Sequence, residues 1–408
     1  MMLLRLLFAS FFLISVSYCS ALQDAIDRAK PGSKIILPPG TYKGAIVITK
    51  PLSIVSEDPK NKAVIDADGK GTVVSVKSSY VTLKDLKIVN SGNRNEKLDS
   101  AIRVENAAHC EISGCEIKEC LFGIDLQMVK DSIVAGNLIS SKNLELGLRG
   151  DGIRLWSSSN NVIRDNKLIN SRDFVVWYSH GNKIIHNYGR NNRYSLHFMY
   201  AGRNLIEDNY FELNSVGMFF MYSKDSIAKN NIVKSSQGAT GMGIGLKDVS
   251  NFTITGNKIV YCAIGIYIDR SPFDPQSHNI IQSNRILYNA EAFHFHSLSE
   301  HNIIRDNIIA GNIEDVINDS EEVAIDRNEI EENFWDSYEG FDRNKDGIGD
   351  TPHRVYQYAD QIWMYNPDVK FFYASPVMTL LNFLAKLAPF TKPRFLFEDP
   401  KPKIQKIL

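Results

Sequence analysis

Apolar and polar positions alternate with period two in short runs along most of this chain, and the runs recur at a nearly constant spacing. Gly152-Ile-Arg-Leu-Trp156, Phe174-Val-Val-Trp177, Leu196-His-Phe-Met199, Met218-Phe-Phe-Met221, Gly243-Ile-Gly-Leu-Lys247, Gly265-Ile-Tyr-Ile-Asp269 and Phe293-His-Phe-His296 each read as one short strand. Within them one set is consistently apolar: Ile153 and Leu155, Leu196 and Phe198, Ile244 and Leu246, Ile266 and Ile268, Phe293 and Phe295. That set is assigned to an interior, and the alternate set to the outer surface.

A second signature follows each run. Asn161-Val-Ile-Arg-Asp-Asn166 returns as Asn182-Lys-Ile-Ile-His-Asn187, Asn204-Leu-Ile-Glu-Asp-Asn209, Asn279-Ile-Ile-Gln-Ser-Asn284 and Asn302-Ile-Ile-Arg-Asp-Asn307. Intervals of about 21 to 28 residues mark a solenoid, and a unit this short holds no helix pair. Its β-branched and aromatic residues, broken by Gly, Asn and Asp, predict two or three short strands per unit joined by tight turns. The chain is therefore expected to be all-β, a single right-handed parallel β-helix from about residue 30 to 335 whose coils rise about 4.8 Å each. Asn suits the turn because it tolerates the left-handed conformation, and its amide can bond to the Asn stacked above it.

The ends differ from the middle. Leu22, Ala25, Ile26 and Ala29 recur at helical spacing, and Pro31-Gly32 stops that helix before strands at Lys34 to Leu37 and Ala45 to Ile48. Such a helix caps the open edge of the first coil. Polar insertions interrupt the repeat at Asn93 to Asp99 and Lys142 to Gly150, and the pattern stops near Asn333. The organisation read from this is a segment 1–20, a capped β-helix over 21–335 and a C-terminal extension over 336–408.

Composition narrows the partners. A formal charge of −1 over 408 residues, with 44% hydrophobic content, supplies a continuous core and argues against binding to nucleic acid or anionic lipid. Arg5, the apolar run Leu6 to Val16 and small residues at Ser17, Cys19 and Ala21 read as a secretory signal peptide, so the mature chain is expected in a bacterial periplasm. Of the cysteines left after cleavage, Cys110 and Cys115 fall in the two Asn columns and Cys120 matches the column of Cys262. They read as stacked, buried turn residues rather than a disulfide or metal set.

Three segments carry candidate chemistry. Phe341-Asp-Arg-Asn-Lys-Asp-Gly-Ile-Gly-Asp350 places oxygen donors at Asp342, Asn344, Asp346 and Asp350, with the Ile348 carbonyl between and Gly347 at the sharp turn. This is the spacing of a structural Ca2+ loop, and His353 at its twelfth position excludes an EF-hand. On the outward face one column reads Trp156, Trp177, Met199, Met221 and its neighbour Arg154, Val175, His197, Phe219. There His197, Met199 and Met221 can converge on Cu(I), beside Trp177, or the stripe can dock a protein or be covered by the aromatic segment Phe371 to Tyr373. After Trp363 and Tyr365, an amphipathic run from Pro376 to Leu387 shows an apolar face of Val377, Leu380, Leu381 and Leu384. It is too short to span a bilayer and reads as packing on the solenoid or docking to a membrane partner.

The runs Gly150-Asp-Gly-Ile-Arg-Leu-Trp156, Arg172-Asp-Phe-Val-Val-Trp-Tyr-Ser179, Arg193-Tyr-Ser-Leu-His-Phe-Met-Tyr200, Val216-Gly-Met-Phe-Phe-Met-Tyr-Ser223 and Asn333-Phe-Trp-Asp-Ser-Tyr-Glu-Gly-Phe-Asp342 resemble the NosD family. The resemblance extends over nearly the whole mature chain. It implies a periplasmic, non-enzymatic accessory protein for maturation of nitrous oxide reductase. It also implies partnership with an ABC transporter ATPase and permease, a copper chaperone, and the reductase as client, with copper or sulfur supplied to its copper-sulfide cluster. The chain would then lie at the membrane only through that partner. The alternative is a carbohydrate-active enzyme of the pectin-lyase-like type, such as an alginate epimerase or polysaccharide lyase, suggested by Phe273-Asp274-Pro275-Gln-Ser-His278. Against it, Asp165, Asp208 and Asp306 sit inside Asn turns, and no pair of acids falls on one face of adjacent coils. A plain structural solenoid would show a polar outer face instead.

Overall fold

Each repeat closes one coil of three strands, and stacked coils build three long parallel sheets. The computed structural model of the chain describes residues 18–238, 240–319, 327–357, 372, 375–388 and 393–404. Most of the expected signal segment lies outside these residues, as do Trp363, Tyr365, Phe371 and Tyr373. Among the described residues the sheets hold 13, 13 and 12 strands, each strand bonded to its counterparts in the coils before and after, from Ser33–Leu37 to Phe334–Trp335. The architecture is the right-handed parallel β-helix that the repeat predicts.

Lumen residues sit where the alternation places them: Ile153, Leu155, Leu196, Phe198, Ile244, Leu246, Ile266, Ile268, Phe293 and Phe295 are all buried. They join one continuous core running the length of the solenoid. At the N-terminus, helix α1 (Tyr18–Arg28) lays Leu22 and Ile26 over the first coil, while Ala25 faces solvent. Gln23 satisfies backbone groups of that coil, its Nε2 donating to the Val47 carbonyl and its Oε1 accepting from the Val47 N–H.

The turn differs from expectation in one respect. The stacked Asn residues make the predicted amide ladder, but the left-handed residue is the one before each of them: Asp165 at φ 57°, His186 at 54°, Asp208 at 54°, Asn230 at 55°. Two neighbouring residues thus divide the labour, one turning the chain and the next pairing backbone groups between coils. Asn187 shows the pairing: its Oδ1 accepts from the Asn166 N–H at 3.1 Å and the Asn166 Nδ2 at 3.0 Å, and its Nδ2 donates to the Ile163 carbonyl at 2.9 Å. The cysteines occupy ladder positions, the N–H of Cys115 and of Cys262 donating to Asn137 and Asn289 as an Asn would. All four are free and buried, and burial pushes the thiols of Cys115 and Cys120 up to about 12, which leaves them unreactive.

The far end is closed by residues distant in sequence. Asp399, on an antiparallel strand pair of His353–Gln357 and Arg394–Asp399, takes the place the next ladder Asn would hold. Its carboxylate accepts from the Asn333 N–H at 3.0 Å, the Asn333 Nδ2 at 3.2 Å and the Trp335 Nε1 at 3.0 Å. Helix α2 (Pro376–Leu387) forms where its amphipathic run predicts, N-capped by Ser375, whose Oγ accepts from the Met378 N–H. Its predicted apolar face does not pack on the solenoid: Val377, Leu380, Leu381 and Leu384 are exposed, and Met378 is the buried side chain among the described ones.

Candidate functional site

On the outward face of the third sheet the strand register sets Trp156 beside Trp177, Trp177 beside Met199 and Met199 beside Met221, with Val175, His197 and Phe219 in the next column. The columns stand as the alternation predicts, but the second is not open surface. Val175 is fully buried, and His197 and Phe219 are 8% and 9% exposed. Coils about 4.8 Å apart let large neighbours roof one another. The His197 ring stacks on Tyr194 at 4.7 Å and meets Trp177 edge-on at 5.6 Å. Gly245 makes room for Phe219, since a Cβ there would lie 2.1 Å from its ring.

Inside this aromatic box His197 has no hydrogen-bond partner at either nitrogen among the described residues. Burial pushes its pKa below the ordinary histidine range, so the ring is neutral at physiological pH. A buried imidazole without partners costs about 1–3 kcal/mol, an expense that a ligand or a docking group would offset.

A third column escaped the sequence reading. Tyr178, Tyr200 and Tyr222 are exposed and stacked, with ring centroids 5.2 Å and 5.0 Å apart. All three are left-handed, at φ 52°, 51° and 48°. The same place in neighbouring coils holds Ser157, Asp248 and Arg270 in the same conformation, so the turn sets it and the tyrosines are carried by it. The signal was the aromatic residue after each Trp or Met, at Tyr178, Tyr200 and Tyr222, readable only once the turn conformation is known.

Toward the N-terminal coils the face is ionic. Asp125, fully buried, accepts from Arg103 at 3.2 Å and Arg154 at 3.0 Å, and the Arg154 guanidinium lies 4.7 Å over the Trp156 ring. Asp151 pairs with Arg172 at 2.9 Å, and its burial raises the carboxyl to about 6. Toward the other end stands a cluster that no motif marked. His294 Nδ1 lies 2.5 Å from Glu291, His294 Nε2 3.1 Å from Asp319 and His296 Nδ1 2.7 Å from Asp319. Burial opposes charge on His294, but the facing carboxylates of Asp319 and Glu291 outweigh it and hold the ring up at about 9. Phe293-His-Phe-His296 held the signal, two outward histidines at i and i+2, but its third member lies one coil away.

The loop offered to calcium folds back on itself. Asp342 accepts from the N–H of Asp346 at 3.1 Å and of Gly347 at 2.9 Å, Asn344 from Asp346 at 3.2 Å, Asp346 from Ile348 at 2.8 Å, and Asp350 from Arg343 at 2.9 Å. Bonds from Gly349 to the Pro402 carbonyl and from Ile404 to the Gly347 carbonyl tie the loop to the C-terminal segment, whose Lys403 N–H donates to the Asn333 carbonyl of the last coil. Asp165, Asp208 and Asp306 are left-handed turn residues, while Asp274 and His278 sit exposed in a separate turn. No helix of the described residues is long and apolar enough to cross a membrane.

A model for the right-handed β-helix region matches residues 71–193, and the model described as periplasmic copper-binding protein (NosD) matches residues 136–340. A probable ABC transporter binding protein NosD of Pseudomonas aeruginosa is 30% identical over 382 residues, covering 89% of this chain and 86% of that protein. A protein of the same description from Stutzerimonas stutzeri is 28% identical and covers 87% of this chain and 83% of its own length. Among solved structures, the A-module of mannuronan C-5 epimerase AlgE6 from Azotobacter vinelandii superposes with a TM-score of 0.57 at 15% identity, over 73% of this chain and 90% of that one. That likeness is one of fold alone. With a family match over half its length and relatives aligned along nearly all of it, this chain belongs to the NosD family of periplasmic copper-binding proteins.

Proposed function

We propose that this chain is an exported, periplasmic binding protein, not an enzyme, that works with an ABC transporter ATPase and permease to assemble the catalytic copper-sulfide centre of nitrous oxide reductase. The relatives' description as ABC transporter binding proteins and the family's description as copper-binding support the reading. The observation that carries it is the outward face of the third sheet: a neutral imidazole at His197, without a hydrogen-bond partner among the described residues, flanked by two methionines in register and bordered by an exposed, stacked tyrosine ladder. Thioether and imidazole donors suit Cu(I) as cargo and reject hard cations. The tyrosines suit a protein client or a copper chaperone, since exposed aromatic residues dominate protein contacts. Helix α2, with its leucines exposed, is the element we assign to the transporter.

The carbohydrate-active alternative is not favoured. Family membership points elsewhere, and Asp274 and His278 lie in an exposed turn with Gln276 and Ser277 between them.

Deleting the gene should leave the reductase folded, with its electron-transfer copper present and its catalytic cluster missing. Full reductase activity in the deletion strain under copper limitation overturns the assembly role. Anaerobic Cu(I) titration of the wild type against Met199→Ala combined with Met221→Ala tests the cargo contact. Equal affinity removes copper from this face and leaves docking as its purpose.

A further inference from the structure

Four strands further along the same sheet, roughly 19 Å from His197, lies a second cluster of different donor chemistry. We infer that His294, His296 and Asp319 form a binding site for a borderline divalent transition ion, Zn(II) or Cu(II), with Glu291 as the outer carboxylate that orients His294. This inference does not rest on the cargo reading above, because it concerns other residues and another class of ion.

Geometry carries it. His294 and His296 occupy positions i and i+2 of the strand Glu291–His296, so both rings project from the same face. Asp319 follows His296 in the next coil, where its N–H still bonds to the Phe295 carbonyl. One ligand atom from each residue, two imidazole nitrogens and a carboxylate oxygen, lies within 4.8 Å of the other two. Ligands about 2.0–2.1 Å from a tetrahedral ion stand roughly 3.4 Å apart, so the ion can be seated with side-chain shifts of an ångström or so. The 2.7 Å and 3.1 Å separations from Asp319 fall just short of that spacing, so the ligands need only part slightly to admit the ion.

The surroundings are those of a built site. Glu291, 6% exposed, takes the Nδ1 side of His294 at 2.5 Å. That bond orients the ring and leaves Nε2 as the atom facing Asp319, which is how a carboxylate positions a ligating histidine. Tyr267 packs against both rings, at 5.4 Å and 6.0 Å, and limits their rotation. An ion entering between the rings displaces the proton that His296 shares with Asp319 and gives a bond to the buried Nε2 of His294, which has no hydrogen-bond partner among the described residues. Imidazole and carboxylate donors without a thioether prefer Zn(II) or Cu(II) to Cu(I), the reverse of the His197 face.

The experiment is a titration of the full, untagged, metal-free chain with ZnCl2 by calorimetry and with CuSO4 by electron paramagnetic resonance. We expect one equivalent of either ion, with Cu(II) showing coupling to two nitrogens. His296→Ala, whose ring is partly exposed, should weaken binding at least tenfold and remove one nitrogen coupling. Asp319→Asn should weaken binding and keep both couplings, while Met199→Ala with Met221→Ala should bind as the wild type does. Absence of stoichiometric binding by the wild type overturns the site and leaves a buried ion-pair cluster in its place. Unchanged affinity and couplings in His296→Ala also overturn it, because the ion then lies elsewhere. Should Asp319→Asn fail to fold, His296→Ala alone decides.

Discussion

Replacing Asn187 with Leu, similar in volume but unable to hydrogen-bond, tests the ladder that holds the coils together. The side chain is 1% exposed, and its Oδ1 is the acceptor for the Asn166 backbone N–H and for one Asn166 amide proton. Its Nδ2 reaches the Ile163 carbonyl and the Asn209 Oδ1. Leu leaves the Asn166 N–H buried without a partner, at about 1–3 kcal/mol, and removes two or three further bonds at about 0.5–1.5 kcal/mol each, a total of about 3–5 kcal/mol. For a solenoid of about 300 residues, with an unfolding entropy of about 0.6 kcal/mol/K, that corresponds to a fall in Tm of about 5–8 °C. Asn187→Ser is the internal comparison, because Ser226 already serves in this way, its Oγ accepting from the Asn204 N–H at 3.1 Å. The hydroxyl keeps the acceptor and loses the donor, so the cost should fall to about 1–2 kcal/mol. Thermal melting, with hydrogen exchange at the Asn166 amide as the local readout and the exposed Lys183→Ala as control, measures the series. A loss below 1 kcal/mol for Leu, or equal losses for Leu and Ser, refutes the reasoning.

Phe198→Asp places an unpaired charge in the lumen and should unfold several coils together, so an unchanged Tm contradicts the assigned interior. Burial against Trp335 depresses His353 to about 4 from an ordinary 6.5. The unfolded chain then binds the extra proton first as pH falls, so stability present above pH 6.5 is lost toward pH 4, by about 3 kcal/mol. His353→Leu should flatten that slope, and a slope unchanged by the variant dismisses His353 as its source. Calcium should tighten the loop from Asp342 to Asp350 and protect Arg343 and Arg354 from trypsin, with the solenoid unaffected; identical cleavage with calcium and with chelator counts against a calcium site. Leu380→Glu with Leu384→Glu on α2 should abolish co-purification with the transporter at unchanged Tm, and retained association shows that the helix is not the contact.

Much of the architecture was legible because a β-helix is a local code. A coil of 21 to 23 residues between Asn161, Asn182 and Asn204, and again between Asn279 and Asn302, decides which residue stacks on which, so alternation within one strand assigned the lumen and the outer columns without any distant contact. The same logic placed the cysteines in the ladder and set Trp177, Met199 and Met221 side by side. Burial of the outward columns was not legible, since it depends on how large side chains in three successive coils roof one another. That is why His197 turned out enclosed by Tyr194 and Trp177 rather than open. Nor does periodicity reveal partners that enter from outside the repeat. Asp319 reaches His294 and His296 where the strand order is ending, and Asp399, 66 residues beyond Asn333, closes the ladder in place of a further Asn. Sequence alone determined the stacking, because register follows from repeat length, whereas the enclosure of the face and the closing of the end were decided by tertiary structure, because side-chain volume and chain return are not periodic.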